Sequence, residues 1–274
     1  MLVDHLAKLE KQLQVWSDAD SATPRDLMSV EFCQPMFGTE LVVSSGRVVD
    51  CQSKPQAQHV EADILLSRAS GPRIDIDGLS DCLLAESVVA AITVLPRLDV
   101  DSMASAVTSA RALKALRRTG LLRSGASLAD PAQPIGPDDA LASIPCYVVA
   151  FDGPADMALA HIWLKTAYRL QGIAEPDLPP TGKERQRVAS PAVDGVFVLG
   201  RGHLNFDNMP LGFFDDASRQ AAFGACWSLA STETGSLMSL FVQINMAATA
   251  LAGTRLDPRP YLHHLTPPTV RLGN

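Results

Sequence analysis

Three short runs rich in β-branched and apolar residues lie between Glu40 and Leu95, and they restrict the fold more than any other feature of the chain. They read ELVVSSGRVVD, EADILLSR and ESVVAAITVL. Glycine, proline, serine and aspartate separate them, as is typical of strands joined by turns. Further strands are predicted for PCYVVAF, VDGVFVLG and AFGACWSLAS, which begin at positions 145, 193 and 222. The pattern therefore predicts a sheet built from many short strands.

Helical patterns alternate with these runs. A first helix is predicted from apolar residues spaced alternately by four and three, namely Leu2, Leu6, Leu9, Leu13 and Trp16. A second helix begins with Pro24 in its first turn and runs to about Phe37. The same periodicity predicts helices over residues 101–118, 155–171 and 237–251. Strands that alternate with helices indicate the α/β class.

The chain carries no internal repeat and no low-complexity tract, so we predict one α/β domain with helical additions at both ends. Two polar, proline-containing stretches, 124–140 and 174–191, are predicted loops, the second of them mobile. The predicted parts are N-terminal helices in 1–38, a sheet-containing core in 39–205, and a C-terminal strand and helices in 206–274.

Composition excludes several classes of protein. The net charge of −7 over 274 residues disfavours a surface that attracts nucleic acid as a whole, so any such contact needs a local basic patch. No apolar run is long enough for a membrane span, and the charged N-terminus does not resemble a signal peptide, so we expect a cytoplasmic protein without membrane contact. The five cysteines form no CxxC pair, which favours buried thiols over zinc or disulfides.

Several familiar catalytic motifs are incomplete or absent in this sequence. The TGKE stretch has Asp177 where a P-loop needs its first glycine, and Glu184 where it needs serine or threonine. GRGHLN lacks the third glycine of a dinucleotide fingerprint, and no GxSxG elbow occurs. His263 and His264 are adjacent, so regular structure points them apart, away from a shared metal.

Acidic residues give a more specific pattern. Glu31 is followed by Asp63 within EADILL, and the strand ESVVAAITVL comes about thirty residues later. This layout resembles the core of restriction-endonuclease-like nucleases, the PD-(D/E)XK superfamily. The segments SSGRVVD, EADILLSRASGP, AESVVAAITVLPRLDV and VDGVFVLGRGHL resemble an uncharacterised bacterial family, domain of unknown function 6602, over about Glu31 to Leu251. The resemblance implies a central mixed sheet flanked by helices.

The family's matching strands read approximately Gln-x-Asp-Ile and Glu-Ser-Val-x-(Ala/Gly)-x-Ile-Glu-Val-Lys. In such a site an Asp and a Glu on neighbouring strands hold Mg²⁺, which activates a water, and a Lys two residues after the Glu positions that water. Alternate strand residues face one side, so the Glu and Lys act together. In this sequence Asp63 matches the Asp, but Thr93 and Leu95 stand at the Glu and Lys positions.

These substitutions predict a pseudoenzyme. Thr93 offers a neutral hydroxyl in place of a carboxylate, and Leu95 carries neither charge nor a hydrogen-bond donor. Asp63 keeps its place, and Glu31 matches the Glu of the family's N-terminal helix, although Glu61 replaces the usual Gln. We therefore expect no cofactor, or Mg²⁺ bound weakly by Asp63 and Glu31.

Related nucleases move a catalytic side chain to a neighbouring helix in some cases, and Lys114 is the candidate for such a migrated cation, with Arg97 as another. Glu86 is a weaker substitute for the lost Glu, because its offset from Thr93 points the two to opposite faces. Arg111, Lys114 and Arg118 form a basic stripe that would contact DNA or RNA if it faces solvent.

Three functions follow from these observations. The first is an impaired nuclease-like protein that binds nucleic acid or a partner protein, as a subunit of a bacterial defence system. The second is an active Mg²⁺-dependent nuclease with migrated catalytic residues. The third is a protein-interaction module, which the acidic balance and the aromatic content of 5% favour. The sequence leaves the oligomeric state and the partner open.

Overall fold

The structure is a computed structural model whose main feature is a nine-stranded mixed sheet. A second, small sheet has three strands. The structure describes residues 1–16, 22–53, 60–71, 73–76, 79–123, 132–136, 139–208, 217 and 225–264. The strands are β1 (Leu41–Val49), β2 (Val60–Arg68), β3 (Arg73–Ile76), β4 (Leu79–Leu84), β5 (Val88–Arg97), β6 (Leu121–Arg123), β7 (Gln133–Pro134), β8 (Cys146–Asp152), β9 (Gly195–Val198), β10 (Gly202–Phe206), β11 (Trp227–Ser231) and β12 (Thr254–Leu256). The strand order of the main sheet is β11-β10-β9-β8-β5-β2-β1-β4-β3, and that of the small sheet is β12-β6-β7.

Helices pack on both faces of the main sheet. They are α1 (Leu2–Leu13), α2 (Pro24–Leu27), a π-helical turn (Met28–Cys33), α3 (Gln34–Phe37), α4 (Val100–Ala115), α5 (Met157–Leu170), α6 (Gly182–Arg185) and α7 (Ser236–Ala252). Short 3₁₀ turns cover Ala85–Ser87, Ala140–Ala142 and Arg259–His264. No helix in the described parts of the chain is both long and apolar enough to cross a membrane.

The two faces of the sheet bury separate hydrophobic clusters. We call the first the α4/α5 core, because Leu65 of β2 and Val148 of β8 pack there against α4 and α5. We call the second the α1/α7 core. Ile64 and Val149, which are next to Leu65 and Val148 in the chain, pack there against α1, the π-helical turn and α7. Successive strand residues alternate between faces, so each central strand contributes to both cores.

Central parallel pairings explain why several strands are apolar on both sides. β8 runs parallel to both β5 and β9, whereas β2 lies antiparallel to both β1 and β5. All residues of β9 are buried, as are six of the seven residues of β8. Strands covered on both faces read as continuous apolar runs, which is the pattern of PCYVVAF and VDGVFVLG.

The predicted α/β architecture, with a mixed sheet flanked by helices, is confirmed. The predicted helix over 24–37 is interrupted by the π-helical turn, where Gln34 N–H bonds to Ser29 O, five residues back. Pro35 supplies the reason: it lacks an N–H, and in a regular helix its ring would clash with the carbonyl four residues earlier.

Other boundaries differ from the prediction. The sequence patterns do not predict strands β3, β4, β6, β7, β10 and β12, and the helix predicted over 101–118 ends at Ala115. The predicted loop 174–191 contains α6, and it is anchored by Arg185, whose buried guanidinium pairs with Asp207. For the final strand run, residues 222–224 lie outside the described residues.

Candidate functional site

The strands that carry Asp63 and Thr93 separate at these two residues. The pairing of β2 with β5 includes Ile64 with Ile92 and continues away from Asp63. On the other side of Asp63, β2 stays paired with β1, while β5 continues along β8 from Thr93 onward. We call Asp63, Thr93 and Leu95 the strand fork. The fold therefore brings the candidate Asp beside the strand that carries the two substituted positions.

Asp63 has a clear structural contact at the strand fork. Its Oδ2 accepts a hydrogen bond of 2.8 Å from the backbone N–H of Val94, so the carboxylate takes the place of a ladder carbonyl where the strands part. Its side chain is half-buried. Oδ1 has no recorded partner in the part of the chain that the structure describes. One carboxylate oxygen thus remains for a ligand.

Thr93 and Leu95 share one face of β5, as their spacing of two predicts. Thr93 lies opposite Val148 and Leu95 opposite Ala150, both on the side of the α4/α5 core. Leu95 packs against that core, while Val94 is buried in the α1/α7 core on the other side. The strand fork thus offers one carboxylate, one hydroxyl and one alkyl side chain.

Glu31 lies apart from this arrangement. It is exposed on the π-helical turn, whose Phe32 and Cys33 are buried in the α1/α7 core. Leu95 packs on the opposite face of the sheet. Within the described residues, no hydrogen bond or ion pair joins Glu31 to Asp63, and a metal ion shared by these two carboxylates stays a prediction.

Lys114 is held in a buried ion pair. Its Nζ lies 2.6 Å from Asp194 Oδ2, and the two side chains are 7% and 10% exposed. Asp194 also accepts hydrogen bonds from Cys146 N at 2.7 Å and Ser190 Oγ at 2.9 Å. Cys146 begins β8, whereas Leu95 lies opposite Ala150 nearer its end. The migrated-cation hypothesis requires the Lys114 ammonium to reach the strand fork, whereas in the structure this ammonium is paired with Asp194.

Two of the three cations of the predicted basic stripe are buried, so α4 does not present the continuous basic surface that nucleic-acid binding along it would need. Arg118 follows the end of the helix and is 3% exposed, and its guanidinium donates to the carbonyls of Ala85, Leu141 and Val88. Burial lowers the pKa of Arg118 to about 10. Lys114 is buried as well, and exposed Arg111 donates to Gln171 O at 2.6 Å. Carbonyl and carboxylate acceptors compensate for the burial of these cations.

Glu86 is also part of the internal polar structure. It is 1% exposed and accepts hydrogen bonds from Gly120 N at 3.0 Å and Tyr261 Oη at 2.5 Å. These contacts join the turn before β5 to Gly120 and to the C-terminal 3₁₀ turn. Sequence reasoning missed Asp194 as the partner of Lys114, because the two are far apart in the chain and no periodic pattern links them.

A cavity of about 150 Å³ lies beside the Lys114–Asp194 pair. Tyr147 lines it and is 1% exposed, and its hydroxyl has no hydrogen-bond partner among the described residues. Burial raises the pKa of Tyr147 well above its ordinary value and that of the Cys146 thiol to about 12. Both groups therefore stay protonated at neutral pH in the protein as described.

The strand fork offers fewer anionic ligands than the magnesium site that the resemblance implies. A hard divalent cation prefers several oxygen ligands with anionic carboxylates among them. The strand fork supplies one available oxygen from Asp63 and the neutral hydroxyl of Thr93. Across the described ranges, no group of three or more His, Cys, Asp or Glu side chains is placed to hold a metal.

The sheet and its helices define a restriction-endonuclease-like fold. Solved structures of NucC resemble the chain over nearly its whole length. The cAAA-bound form of P. aeruginosa NucC is 17% identical, with a TM-score of 0.64, covering 97% of this chain and 98% of that one. The cAAA-bound form of E. coli NucC is 16% identical, with a TM-score of 0.63 and the same coverage. The apo form of E. coli NucC is 18% identical, with a TM-score of 0.60.

Comparisons of the sequence with protein families and curated proteins identify no family for the chain. No protein-family model matches the chain, and no curated protein matches it. The specific resemblance to domain of unknown function 6602 therefore stays a prediction. At the identities of the NucC structures, the shared property is the fold.

Proposed function

We propose that this chain is a nuclease-like protein of bacterial defence with a degenerate metal site, which acts by binding nucleic acid or a partner protein. The observation that carries the proposal is the strand fork, where Asp63 lies beside Thr93 and Leu95. NucC, which shares the fold, is a nuclease of bacterial anti-phage defence. We therefore propose a role for this chain in the same biological setting, but without nuclease activity.

The chemistry of the strand fork supports the loss of cutting. Metal-assisted hydrolysis of a phosphodiester needs a cation that polarises the phosphate and activates a water. Thr93 supplies no negative charge to hold that cation, and Leu95 supplies no positive charge for the developing phosphorane oxygens. Leu95 instead packs against the α4/α5 core, so its side chain contributes to stability.

The NucC structures also suggest a ligand class. Two of them are cAAA-bound forms, and each covers 97% of this chain. We propose that this chain takes a cyclic oligonucleotide of the same class and that the bound ligand controls its association with a partner. Ligand-controlled association with a partner requires the fold but does not require an intact nuclease site.

A nuclease assay tests the degenerate site. Purified protein is incubated with single- and double-stranded DNA and RNA, with Mg²⁺ or Mn²⁺, and with or without cAAA. We expect no cleavage by the native protein, and metal-dependent cleavage by the double variant Thr93→Glu, Leu95→Lys. The matched control Thr93→Val, Leu95→Met changes the same positions without adding charge and is expected to stay inactive.

Asp63 provides the second control for this assay. Adding Asp63→Asn to the gain-of-function variant is expected to abolish the new cleavage, because the carboxylate would lose its charge. Metal-dependent cleavage by the native protein that Asp63→Ala abolishes would contradict the proposal and support the migrated-residue nuclease. Equal unfolding midpoints of all variants ensure that loss of activity is not loss of fold.

The buried basic residues favour a protein-interaction module as the second candidate function. Lys114 and Arg118, two of the three cations in the predicted stripe, are buried, and the net charge of the chain is −7. Nucleic-acid binding through phosphates weakens steeply as salt rises. The module therefore predicts no salt-sensitive retention of labelled DNA or RNA, whereas the first proposal is compatible with such retention at a local patch.

A further inference from the structure

A crevice of about 520 Å³ opens beyond the carboxyl ends of β5, β8 and β9, three neighbouring parallel strands. Its lining includes Gln14, Trp16, Arg97, Phe151, Asp152 and Arg201. Small-molecule sites commonly have volumes of several hundred Å³, and open α/β sheets bind ligands beyond the carboxyl ends of their strands. The crevice uses no residue of the strand fork, so the inference from it does not depend on the state of the metal site.

Two guanidinium groups line this crevice. Arg97 Nε lies 3.6 Å from Asp152 Oδ2, and the two side chains are 72% and 53% exposed. An ion pair with this exposure is weak, so an incoming phosphate can compete with the carboxylate. Arg201 is exposed, and its guanidinium has no recorded partner within the described ranges. Arginine matches a phosphate group with two parallel N–H donors.

An aromatic wall stands beside the arginines. Trp16 and Phe151 meet edge to face, with ring centroids 5.8 Å apart and an interplanar angle of 78°. Trp16 Nε1 donates a hydrogen bond of 2.8 Å to Ala22 O, which fixes the indole orientation. Trp16 remains half-buried, so part of its ring is open to a ligand. Such a surface can pack against the planar base of a nucleotide.

Glu10 makes the rim of the crevice rigid. This carboxylate is 0% exposed and accepts hydrogen bonds from Gly200 N at 3.2 Å, Gly235 N at 2.9 Å and Leu237 N at 3.3 Å. It thereby ties α1 to the turn before Arg201 and to the start of α7. Ordering the binding groups before the ligand arrives lowers the entropic cost of binding.

The glycine in this turn is required by its backbone. Gly200 has φ of +71°, and an added Cβ would lie 2.7 Å from the side-chain amide of Gln14. The tight turn is followed directly by Arg201, and both Arg201 and Gln14 line the crevice. The charged and aromatic parts of the lining are thus held in fixed relation to each other.

We propose that this crevice binds a phosphate-bearing ligand of the nucleotide class. Its phosphates would lie against Arg97 and Arg201, and its base against Trp16 and Phe151. The ligand is either a free nucleotide or the end of a single strand, which present the same chemistry.

Isothermal titration calorimetry of the full chain with ATP, adenosine and inorganic phosphate tests the proposal at constant ionic strength. ATP is expected to bind at least tenfold more tightly than adenosine or phosphate, because only ATP contacts both the arginines and the aromatic wall. Arg97→Ala and Arg201→Ala are each expected to weaken ATP binding about tenfold, as lost charge-assisted contacts do. Arg169→Ala, an exposed arginine at the end of α5, is the matched control and leaves the affinity unchanged.

Competition separates the two sources of the ligand. If a short oligothymidylate displaces ATP more effectively than thymidine monophosphate does, the crevice takes a strand end; the reverse order supports a free nucleotide. Trp16→Ala is expected to reduce ATP binding to the level of inorganic phosphate. The proposal is overturned if neither ATP nor the oligonucleotide binds, or if the folded double variant Arg97→Ala, Arg201→Ala binds ATP as the native protein does.

Discussion

Asp194 is the residue around which the buried polar structure near β8 is organised. It faces the ammonium of Lys114, the backbone N–H of Cys146 and the hydroxyl of Ser190. Charges in a protein interior persist when partners of this kind replace water. Lys114 therefore belongs to the interior, although its place on a helix with Arg111 is typical of a solvated face.

Breaking this pair from one side is expected to be costly. Lys114→Met leaves the Asp194 carboxylate buried without its counter-ion, so the free energy of unfolding should fall by about 3–5 kcal/mol. The double variant Lys114→Met, Asp194→Asn should lose less, because it buries no unpaired charge. Urea unfolding followed by circular dichroism measures both.

An exposed ion pair provides the control for this comparison. Arg47 and Glu61 lie 3.0 Å apart, with side chains 41% and 66% exposed. Glu61→Gln is expected to change the free energy of unfolding by less than about 1 kcal/mol. If Lys114→Met lowers the free energy of unfolding by no more than Glu61→Gln does, the buried pair contributes no more to stability than a surface pair.

At the scale of the element, β10 is a strand whose sequence resembles that of a turn. Its first residue, Gly202, has φ of +139°, and an added Cβ would lie 2.0 Å from Ala230 O on β11. Glycine and asparagine in GRGHLN are typical of a turn, so the pattern did not predict a strand. The pairing of Gly202 with both Val198 and Ser231 places it inside the sheet.

Gly202→Ala is expected to lower the free energy of unfolding by about 3 kcal/mol or more, because backbone strain and the clash with β11 add together. Gly172→Ala is the matched control: its φ is +62°, but an added Cβ meets nothing within 4 Å. That variant should lose only about 1 kcal/mol from the left-handed conformation. Urea unfolding of both variants gives the difference, and equal losses would mean that the approach of β11 is unimportant.

At the scale of the whole molecule, the main sheet couples the two cores. β5 gives Ala91 to the α4/α5 core and Ile92 to the α1/α7 core, and β8 gives Val148 and Val149 in the same way. Neither core can lose its strands without exposing the other. The described sheet and helices should therefore unfold together.

Tryptophan fluorescence can test this coupling, since the chain has three tryptophans. Trp16 packs against the α1/α7 core, whereas Trp163 and Trp227 pack against the α4/α5 core. Variants that keep only Trp16 or only Trp163, with phenylalanine at the other positions, should each show a urea midpoint that coincides with the loss of its own far-ultraviolet circular dichroism. A fluorescence midpoint that precedes the circular dichroism in either variant would mean that the cores unfold separately.

The sequence by itself determined the local structure. Alternation and apolar runs located β1, β2, β5, β8 and β9, because strand periodicity and burial on both faces are written directly in neighbouring residues. The same local rule correctly placed Thr93 and Leu95 on one face of β5. Pro35, which lacks a backbone N–H, is the local feature that indicates the interruption of the helix predicted over 24–37.

Only the tertiary structure decided which distant side chains meet. It paired Lys114 with Asp194, buried Arg118 among carbonyls, and set Asp63 at the point where β2 and β5 part. It also left Glu31 exposed over the α1/α7 core, while Leu95 packs against the other. These outcomes depend on contacts between residues far apart in the chain, where local periodicity carries no information and the balance between desolvation and pairing selects the partner.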